Sequence, residues 1–341
     1  MASDPSASAP AGLVDLASAR VGGVALIAND EFFAEKENLL KPGRGIFIPD
    51  KYTDRGKWMD GWESRRRRTP GFDWCVVRLG LRGIIRQVDI DTNHFLGNHP
   101  PFASLDALDR PDRFPTELAA VEALAWTEIL AKSPLQPGSQ NLFAVTREQP
   151  WTHVKLNIIP DGGVARFRVY GVVVPDWSNL QPGEVIDLAA IENGGVPLAC
   201  SDMFFSSMNN LVMPGRSENM GDGWETKRRR GPGHDWIILK LGLPGAIQKI
   251  EVDTNHFKVN YPDTCSIEGC VAPDASTYDL VSHAGWREIL PKTKLQADTR
   301  HFFERELGPV ENCTHLRLNI YPDGGVSRLR VWGTPAAIPR E

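Results

Sequence analysis

The 341-residue chain contains only five cysteines, and no two of them form a C-x-x-C pair. An odd, scattered set of this kind indicates neither a disulfide framework nor a zinc knuckle, and it suits a reducing cytosol. The sequence also lacks a G-x-S-x-G elbow, a phosphate-cradling glycine loop and a dinucleotide fingerprint. We therefore expect neither a covalent nor a nucleotide-dependent mechanism.

Long apolar segments and an excess of positive charge are missing as well. The most apolar early segment, VGGVALIA, is far too short to cross a membrane. The N-terminus has no basic region followed by an apolar stretch, so it does not read as a signal peptide. The formal net charge is −5, which argues against general nucleic-acid affinity. We expect a cytoplasmic protein that binds neither membrane nor nucleic acid.

The overall composition is that of an ordinary folded protein. Hydrophobic residues make up 41% and charged residues 24% of the chain, and 31 glycines with 26 prolines predict many turns. The length exceeds the usual size of a single hydrophobic core, so about two domains are expected.

Nearly the whole sequence is written twice. VDLASARVGGVALIANDEFF at 14–33 aligns with IDLAAIENGGVPLACSDMFF at 186–205, an offset of 172 residues (202 − 30). DTNHF at 91 recurs at 253, and HVKLNIIPDGGVARFRVYG at 153 has its counterpart at 315, both with an offset of 162 (253 − 91). The first copy therefore holds ten extra residues within GIFIPDKYTDRGKWM (45–59), and we expect this loop to differentiate the copies.

The apolar period within each copy is mostly two, which predicts strands. In VARFRVYG (164–171) apolar residues alternate with arginines, as in a strand with one buried and one wet face. HVKLNI (153–158) alternates likewise, and the PDGG between the two segments predicts a hairpin. DWCVVRLGL and RQVDIDTNHF predict further strands, and a short helix is expected to begin at Pro115 and Thr116.

Short strands at close spacing with Gly and Pro turns indicate a sandwich. We expect a mainly β protein built as a tandem repeat of two antiparallel jelly-roll β-sandwich domains, joined by a Pro-containing linker. The expected organisation is a disordered leader at 1–12, a first repeat at 13–171, a linker at 172–184, a second repeat at 185–335 and a tail at 336–341.

A dense charged segment, DGWESRRRRTPGFDW at 60–74, recurs as DGWETKRRRGPGHDW at 222–236. A buried guanidinium without a partner is very costly, so some of the arginines must meet acids or an anionic ligand. Glu63 and Asp73 flank the run and offer partners within a solvated, salt-bridged loop. Trp62 beside the run indicates instead a packed loop whose arginine forks bind a carboxylate. The sequence leaves both alternatives open.

The DTNHF motif is equally ambiguous. If the alternation of VDIDTNH persists, Asp89, Asp91 and Asn93 share one face and His94 points toward the core. His94 is then a hydrogen-bonded structural residue or, if it lines a pocket, a proton carrier. Asp91, His94 and His99 have ligand types that suit a divalent ion, but their spacing matches no metal motif and the second copy lacks a counterpart of His99. We expect no metal site and no cofactor, with a divalent ion as the open alternative.

The duplicated segments DGWESRRRR, DTNHF and NIIPDGGVARFRVYG, spread over residues 14–335, resemble the allantoicase family of allantoate amidinohydrolases. The resemblance implies tandem jelly rolls similar to galactose-binding modules. It also implies hydrolysis of allantoate to ureidoglycolate and urea in purine breakdown. Because the same jelly roll hosts many binding modules, the alternatives are a noncatalytic module for a sugar or small anion and a hydrolase of a related ureido acid.

Site roles follow from the chemistry of allantoate and from retention in both copies. A small carboxylate bearing two ureido groups on one carbon requires a cationic clamp, amide-matching hydrogen bonds and acid/base groups. We predict Glu63 as the base that activates water, His94 as the proton donor to the departing urea nitrogen, and Asp91 as a third catalytic group. The predicted substrate-binding residues are Trp62, Arg66, Arg67, Arg68, Asn93 and Arg166.

The second copy carries counterparts of these residues. They are Trp224, Glu225, Arg228, Arg229, Arg230, Asp253, Asn255, His256 and Arg328. We expect the working site in the first copy or at the junction of the copies, because the longer loop of the first copy can close over substrate. A homo-oligomer is also expected.

Overall fold

The computed structural model describes residues 10, 12–110, 113–309 and 311–339. The chain divides into two compact units, one spanning Leu13–Val174 and the other containing everything from Pro175 onward. Residues 1–9 and 11 of the expected leader, and 340–341 of the expected tail, lie outside the described residues. Within the described part of the chain, no helix is long and apolar enough to cross a membrane.

The first unit consists almost entirely of short antiparallel strands. One short helix, α1 (Leu118–Glu122), begins two residues after the expected start, and 3₁₀ turns span Ala19–Val21 and Lys36–Leu40. The strands are β1 (Val14–Asp15), β2 (Val24–Ala28), β3 (Tyr52–Thr53), β4 (Gly56–Lys57), β5 (Trp62–Glu63), β6 (Asp73–Asp91), β7 (Phe102–Leu108), β8 (Thr127–Pro134), β9 (Leu142–Ala144), β10 (Pro150–Ile159), β11 (Gly163–Val164) and β12 (Arg166–Val173).

Strand β6 organises this unit. Its first part, residues 73–78, lies between β2 and β10, and β10 leads on to β7 and β8. Its last part, residues 87–89, lies between β12 and β9, and β12 leads on to β1. The strand therefore belongs to both layers of a sandwich, as a jelly roll requires. Apolar side chains from both layers, such as Val77, Leu105, Val154 and Phe167, are fully buried between them.

The predicted hairpin of β10 and β12 is wrong. Both strands pair with β6, one along its first part and the other along its last part, so β6 separates them. The PDGG segment is consequently not a two-residue hairpin turn. It is a wider connection in which Gly162 takes a positive φ of 138°.

The predicted wet face of β12 is also wrong. Phe167 and Val169 are buried as expected, but Arg166 and Tyr170 on the opposite face are buried too. The loop that follows Leu40 lies over that face, because Arg168 donates hydrogen bonds to the carbonyl oxygens of residues 41 and 43. A segment distant in sequence thus covers a face that the local pattern assigns to solvent.

The second unit repeats this topology, except that none of its described strands corresponds to β3 or β4. Its central strand also has 19 residues and pairs with four neighbours. The strands are β13 (Ile186–Asp187), β14 (Val196–Cys200), β15 (Trp224–Glu225), β16 (Asp235–Asp253), β17 (Thr264–Cys270), β18 (Arg287–Lys294), β19 (Arg300–Phe303), β20 (Cys313–Tyr321), β21 (Gly325–Val326) and β22 (Arg328–Pro335), with helix α2 (Thr277–Val281) and 3₁₀ turns at Ile191–Asn193, Met208–Val212 and Met220–Asp222.

The longer loop of the first repeat has its own structure. Its ten extra residues include β3 and β4, which form a small exposed two-stranded ribbon. The same loop exposes Ile46, Phe47 and Ile48 to solvent.

Candidate functional site

Glu63 lies on β5, the short strand that pairs with β11. The backbone of Ala34 bridges to it from the other side, so the main chain of Glu63 is fixed on both edges. Its side chain is half-buried, and Asn98 Nδ2 donates a 2.7 Å hydrogen bond to Oε1. Burial raises the pKa of the Glu63 carboxyl above its ordinary value, and the Asn98 hydrogen bond offsets part of that rise. The described residues give Oε2 no hydrogen-bond partner.

The loop after β6 passes beside this carboxylate. Phe95 is fully buried, and its ring fills the space where a Cβ on Gly163 would stand, 2.0 Å from Cε1. Asn98 lies farther along the loop and reaches Glu63. The predicted base and the DTNHF segment are therefore packed together through Phe95 and Asn98.

His94 does not point toward the core, contrary to the expectation from strand alternation. The alternation ends with β6 at Asp91, and His94 adopts a positive φ of 67° with an exposed ring. That ring lies 5.7 Å from the ring of Phe47 in the longer loop. In the described part of the chain its nitrogens make no hydrogen bond, which leaves them accessible for proton transfer.

Asp91 and Asn93 form hydrogen bonds with the start of the longer loop. Asp91 is 2% exposed and accepts a bidentate pair of 2.9 Å hydrogen bonds from Arg44. Asn93 donates from Nδ2 to the carbonyl oxygen of Gly45. The Asp91 carboxylate and the Asn93 Nδ2 group are thus engaged within the fold. The catalytic role of Asp91 and the substrate-binding role of Asn93 stay predictions.

The arginine run divides into two kinds of residue. Arg65 pairs with Asp30, and Arg67 pairs with the buried Asp73 at 2.5 Å. Arg66 and Arg68 are exposed and have no ion pair or hydrogen bond within the described residues. Salt bridges therefore engage alternate members of the run, and the predicted substrate-binding role of Arg67 stays a prediction. Arg66 and Arg68 are therefore the candidates for binding a carboxylate.

Arg166 and Trp62 are also structural. Arg166 is 3% exposed and pairs with Asp60 at 2.6 Å, with its remaining donors directed at backbone carbonyl oxygens. Trp62 is fully buried and donates from Nε1 to the carbonyl oxygen of Asp30. Both side chains are buried and bonded within the fold, and their predicted substrate-binding roles stay predictions.

The second repeat reproduces these contacts. Asn260 donates to Glu225, whose pKa is likewise raised by burial. His256 differs from its counterpart, since its Nε2 lies 2.9 Å from the carbonyl oxygen of Ser217. The structural pairs are Arg229 with Asp235, Arg328 with Asp222, Arg216 with Asp253, and buried Trp224 with the carbonyl oxygen of Asp202, whereas Arg228 and Arg230 are exposed without partners in the described residues.

No three His, Cys, Asp or Glu side chains in the described residues lie close enough to share a metal ion. The trio of Asp91, His94 and His99 is not such a group. That the protein requires no metal stays a prediction.

A family model described as the allantoicase repeat matches residues 14–174 and again 186–336. The chain belongs to the allantoicase family. It is 51% identical over 322 residues to "Probable allantoicase 1" of Burkholderia mallei, a match that covers 94% of each chain. It is 50% identical to "Allantoicase" of Dictyostelium discoideum, covering 93% of this chain and 86% of that one.

A solved structure supports the same assignment. The crystal structure of allantoicase from Saccharomyces cerevisiae is similar with a TM-score of 0.80 and 38% identity, covering 95% of this chain and 93% of that one. The predictions of the allantoicase family and of a tandem β-sandwich fold are both confirmed.

Sequence reasoning missed three residues of the first allantoicase repeat that shape the site: Arg44, Asp60 and Asn98. Each has a counterpart in the second allantoicase repeat, namely Arg216, Asp222 and Asn260. Retention in both copies was therefore the available signal. Asn260 and Asn98 keep the offset of 162 found for DTNHF, and the P-G-R of the arginines keeps the offset of 172.

Proposed function

We propose that this chain hydrolyses allantoate to ureidoglycolate and urea. The observation that carries the proposal is the half-buried Glu63 carboxylate, with one oxygen held by Asn98 and the other without a partner, on a chain half identical to proteins named allantoicase. A carboxylate with a raised pKa and a free oxygen is suited to accept a proton from water. The same arrangement recurs at Glu225.

The reaction displaces urea at the carbon that carries both ureido groups. Glu63 takes a proton from water, and the water oxygen forms the new C–O bond. His94 in its protonated form gives a proton to the ureido nitrogen as the C–N bond breaks. The products are then ureidoglycolate and neutral urea, and no covalent enzyme intermediate is needed.

Recognition of the substrate carboxylate falls to Arg66 and Arg68. They are the members of the run whose guanidinium groups have no protein partner among the described residues. A guanidinium that is free to form a bidentate pair binds a carboxylate with defined geometry. We also propose allantoate as the physiological partner, a homo-oligomeric assembly and a cytoplasmic location, the last supported by five free cysteines.

A urea-release assay with allantoate tests the proposal. Glu63→Gln and His94→Ala should each lower kcat about 100-fold or more, the usual contribution of a general acid or base. Glu148→Gln, on the surface beside Arg86, is the matched control and should keep the parental rate. Parental rates in folded Glu63→Gln and His94→Ala proteins would exclude these two roles. Turnover of ureidoglycolate without turnover of allantoate would favour the related ureido acid.

A further inference from the structure

The D-G-G segment that follows β10 is retained in both repeats, and a hairpin turn does not explain it. Gly162 has a positive φ, and a Cβ at that position would stand 2.6 Å from the carbonyl oxygen of Asn98. The N–H of Gly163 donates to that same oxygen at 2.8 Å. A glycine at 162 is thus required for the backbone of Asn98 to approach this closely, and a glycine at 163 is required because a Cβ there would meet the ring of Phe95.

The same segment holds the strand that carries Glu63. The N–H of Ser64 donates to the carbonyl oxygen of Gly162, and the N–H of Gly162 returns a bond to Ser64 Oγ. Gly162 and Gly163 therefore bond to the backbone of Asn98 on one side and to Ser64, next to Glu63, on the other. The contact between the Asn98 amide and Glu63 Oε1 is fixed by backbone on both sides.

The second repeat contains an equivalent assembly. The N–H of Gly325 donates to the carbonyl oxygen of Asn260 at 2.8 Å, and a Cβ on Gly324 would stand 2.7 Å from that oxygen. The Asn260 amide donates to Glu225. Two copies whose neighbouring residues have diverged, with Tyr261 in place of His99, preserve the same amide-to-carboxylate contact.

Titratable side chains on the neighbouring segments make no hydrogen bond or ion pair with Glu63 in the described part of the chain. Asp161 accepts the backbone N–H of Arg67, and Lys36 pairs with Glu31. His99 makes no hydrogen bond to Glu63, and its buried Nδ1 has no partner in the described residues. Asn98 is therefore the side chain that contacts this carboxylate.

We propose that Asn98 is a positioning residue for Glu63. The amide holds Oε1, so that Oε2 is the oxygen presented to water, and it favours the ionised carboxylate that a base must be. The D-G-G segment is retained because it places this amide. The proposal rests on the function proposed above.

The test measures urea release from allantoate across pH for the full chain and for two variants. Asn98→Ala removes the donor, and Asn98→Asp keeps the shape while replacing the donor with an acceptor. Both should lower kcat about tenfold or more, with a smaller change in KM, because a lost hydrogen bond to a charged group has an effect of about that size. Both should also move the acid limb of the pH profile upward, because a Glu63 without its donor keeps its proton to higher pH.

The control and the contrary outcomes are specific. His99→Tyr copies the residue found in the second repeat and should keep the parental acid limb. Folded Asn98→Ala and Asn98→Asp proteins with a parental kcat and acid limb would overturn the positioning role. If Glu63→Gln nevertheless loses most of its urea release, the proposed function still stands. A parental chain that releases no urea from allantoate would instead refute the proposed function. If Asn98→Ala fails to fold, the isosteric Asn98→Asp variant alone decides.

Discussion

Removing the carboxylate of Asp60 should lower the stability of the first repeat sharply. The side chains of Asp60 and Arg166 are 6% and 4% exposed, and Nη2 and Oδ2 are 2.6 Å apart. Asp60 also accepts the backbone N–H of Ile46 at 3.0 Å. Asp60→Ala leaves the Arg166 charge buried with carbonyl oxygens as its remaining partners.

The expected size follows from that burial. Removing one partner of a buried ion pair costs about 3–5 kcal/mol. For a domain of this size that corresponds to a decrease of about 6–20 °C in the unfolding temperature. Replacing both partners, as in Asp60→Leu with Arg166→Met, should recover much of the loss, because no charge is then left buried.

The effect also depends on pH. Burial raises the pKa of Asp60, but the Arg166 hydrogen bond and the Ile46 N–H outweigh it, so the folded-state pKa lies below its ordinary value. A carboxylate of this kind contributes stability above the unfolded-state pKa of about 4, and that stability disappears as pH falls through the folded-state pKa. The difference between the parental protein and Asp60→Ala should therefore shrink in strong acid.

Differential scanning calorimetry measures the lowest unfolding transition of each variant, and urea release below that transition gives KM. A transition within about 2 °C of the parental value, since surface substitutions usually change stability little, would refute a buried structural pair. A large rise in KM for allantoate at unchanged stability would instead indicate that Arg166 binds the substrate.

Three further outcomes are expected. Gly163→Ala should destabilise the first repeat in the same calorimetric scan, because the new Cβ would collide with the buried ring of Phe95. Gly97→Ala is the control and should not, because a Cβ at that position has open space around it. Arg66→Ala and Arg68→Ala should raise KM for allantoate at an unchanged unfolding temperature. KM values equal to that of the parental protein would show that these arginines do not bind the substrate carboxylate. Glu225→Gln, assayed for urea release beside the first-repeat variant, should retain more activity if the first repeat is the working one, and equal loss would contradict that assignment.

The sequence was sufficient for the fold class and the duplication because both are visible in local patterns. Alternating apolar residues such as Phe167 and Val169 show which positions face a core. The duplication shows that this pattern occurs twice. Strand order is not local information, however, so the PDGG segment appeared to be a hairpin although β6 separates its two strands.

The site was predicted less well, because its ion pairs join distant segments. Arg166 and Asp60 are 106 positions apart, and Arg44 and Asp91 are 47 apart. An arginine that faces outward by strand alternation is buried when such a partner covers it. The duplication preserved structural arginines as faithfully as accessible ones, so retention could not separate Arg67 from Arg66.

Strand β6 has a consequence for synthesis on the ribosome. Its last part is flanked by β9 and β12, and β12 is the final strand of the repeat. The 82 residues from Asp91 to Val173 (173 − 91) take roughly 4–16 s to translate at usual elongation rates. During that interval the nascent chain carries an unpaired apolar strand edge, the kind of surface that promotes association between unfinished polypeptides. A truncated first repeat that ends before Arg166 keeps that edge permanently and should be found with chaperones or in aggregates.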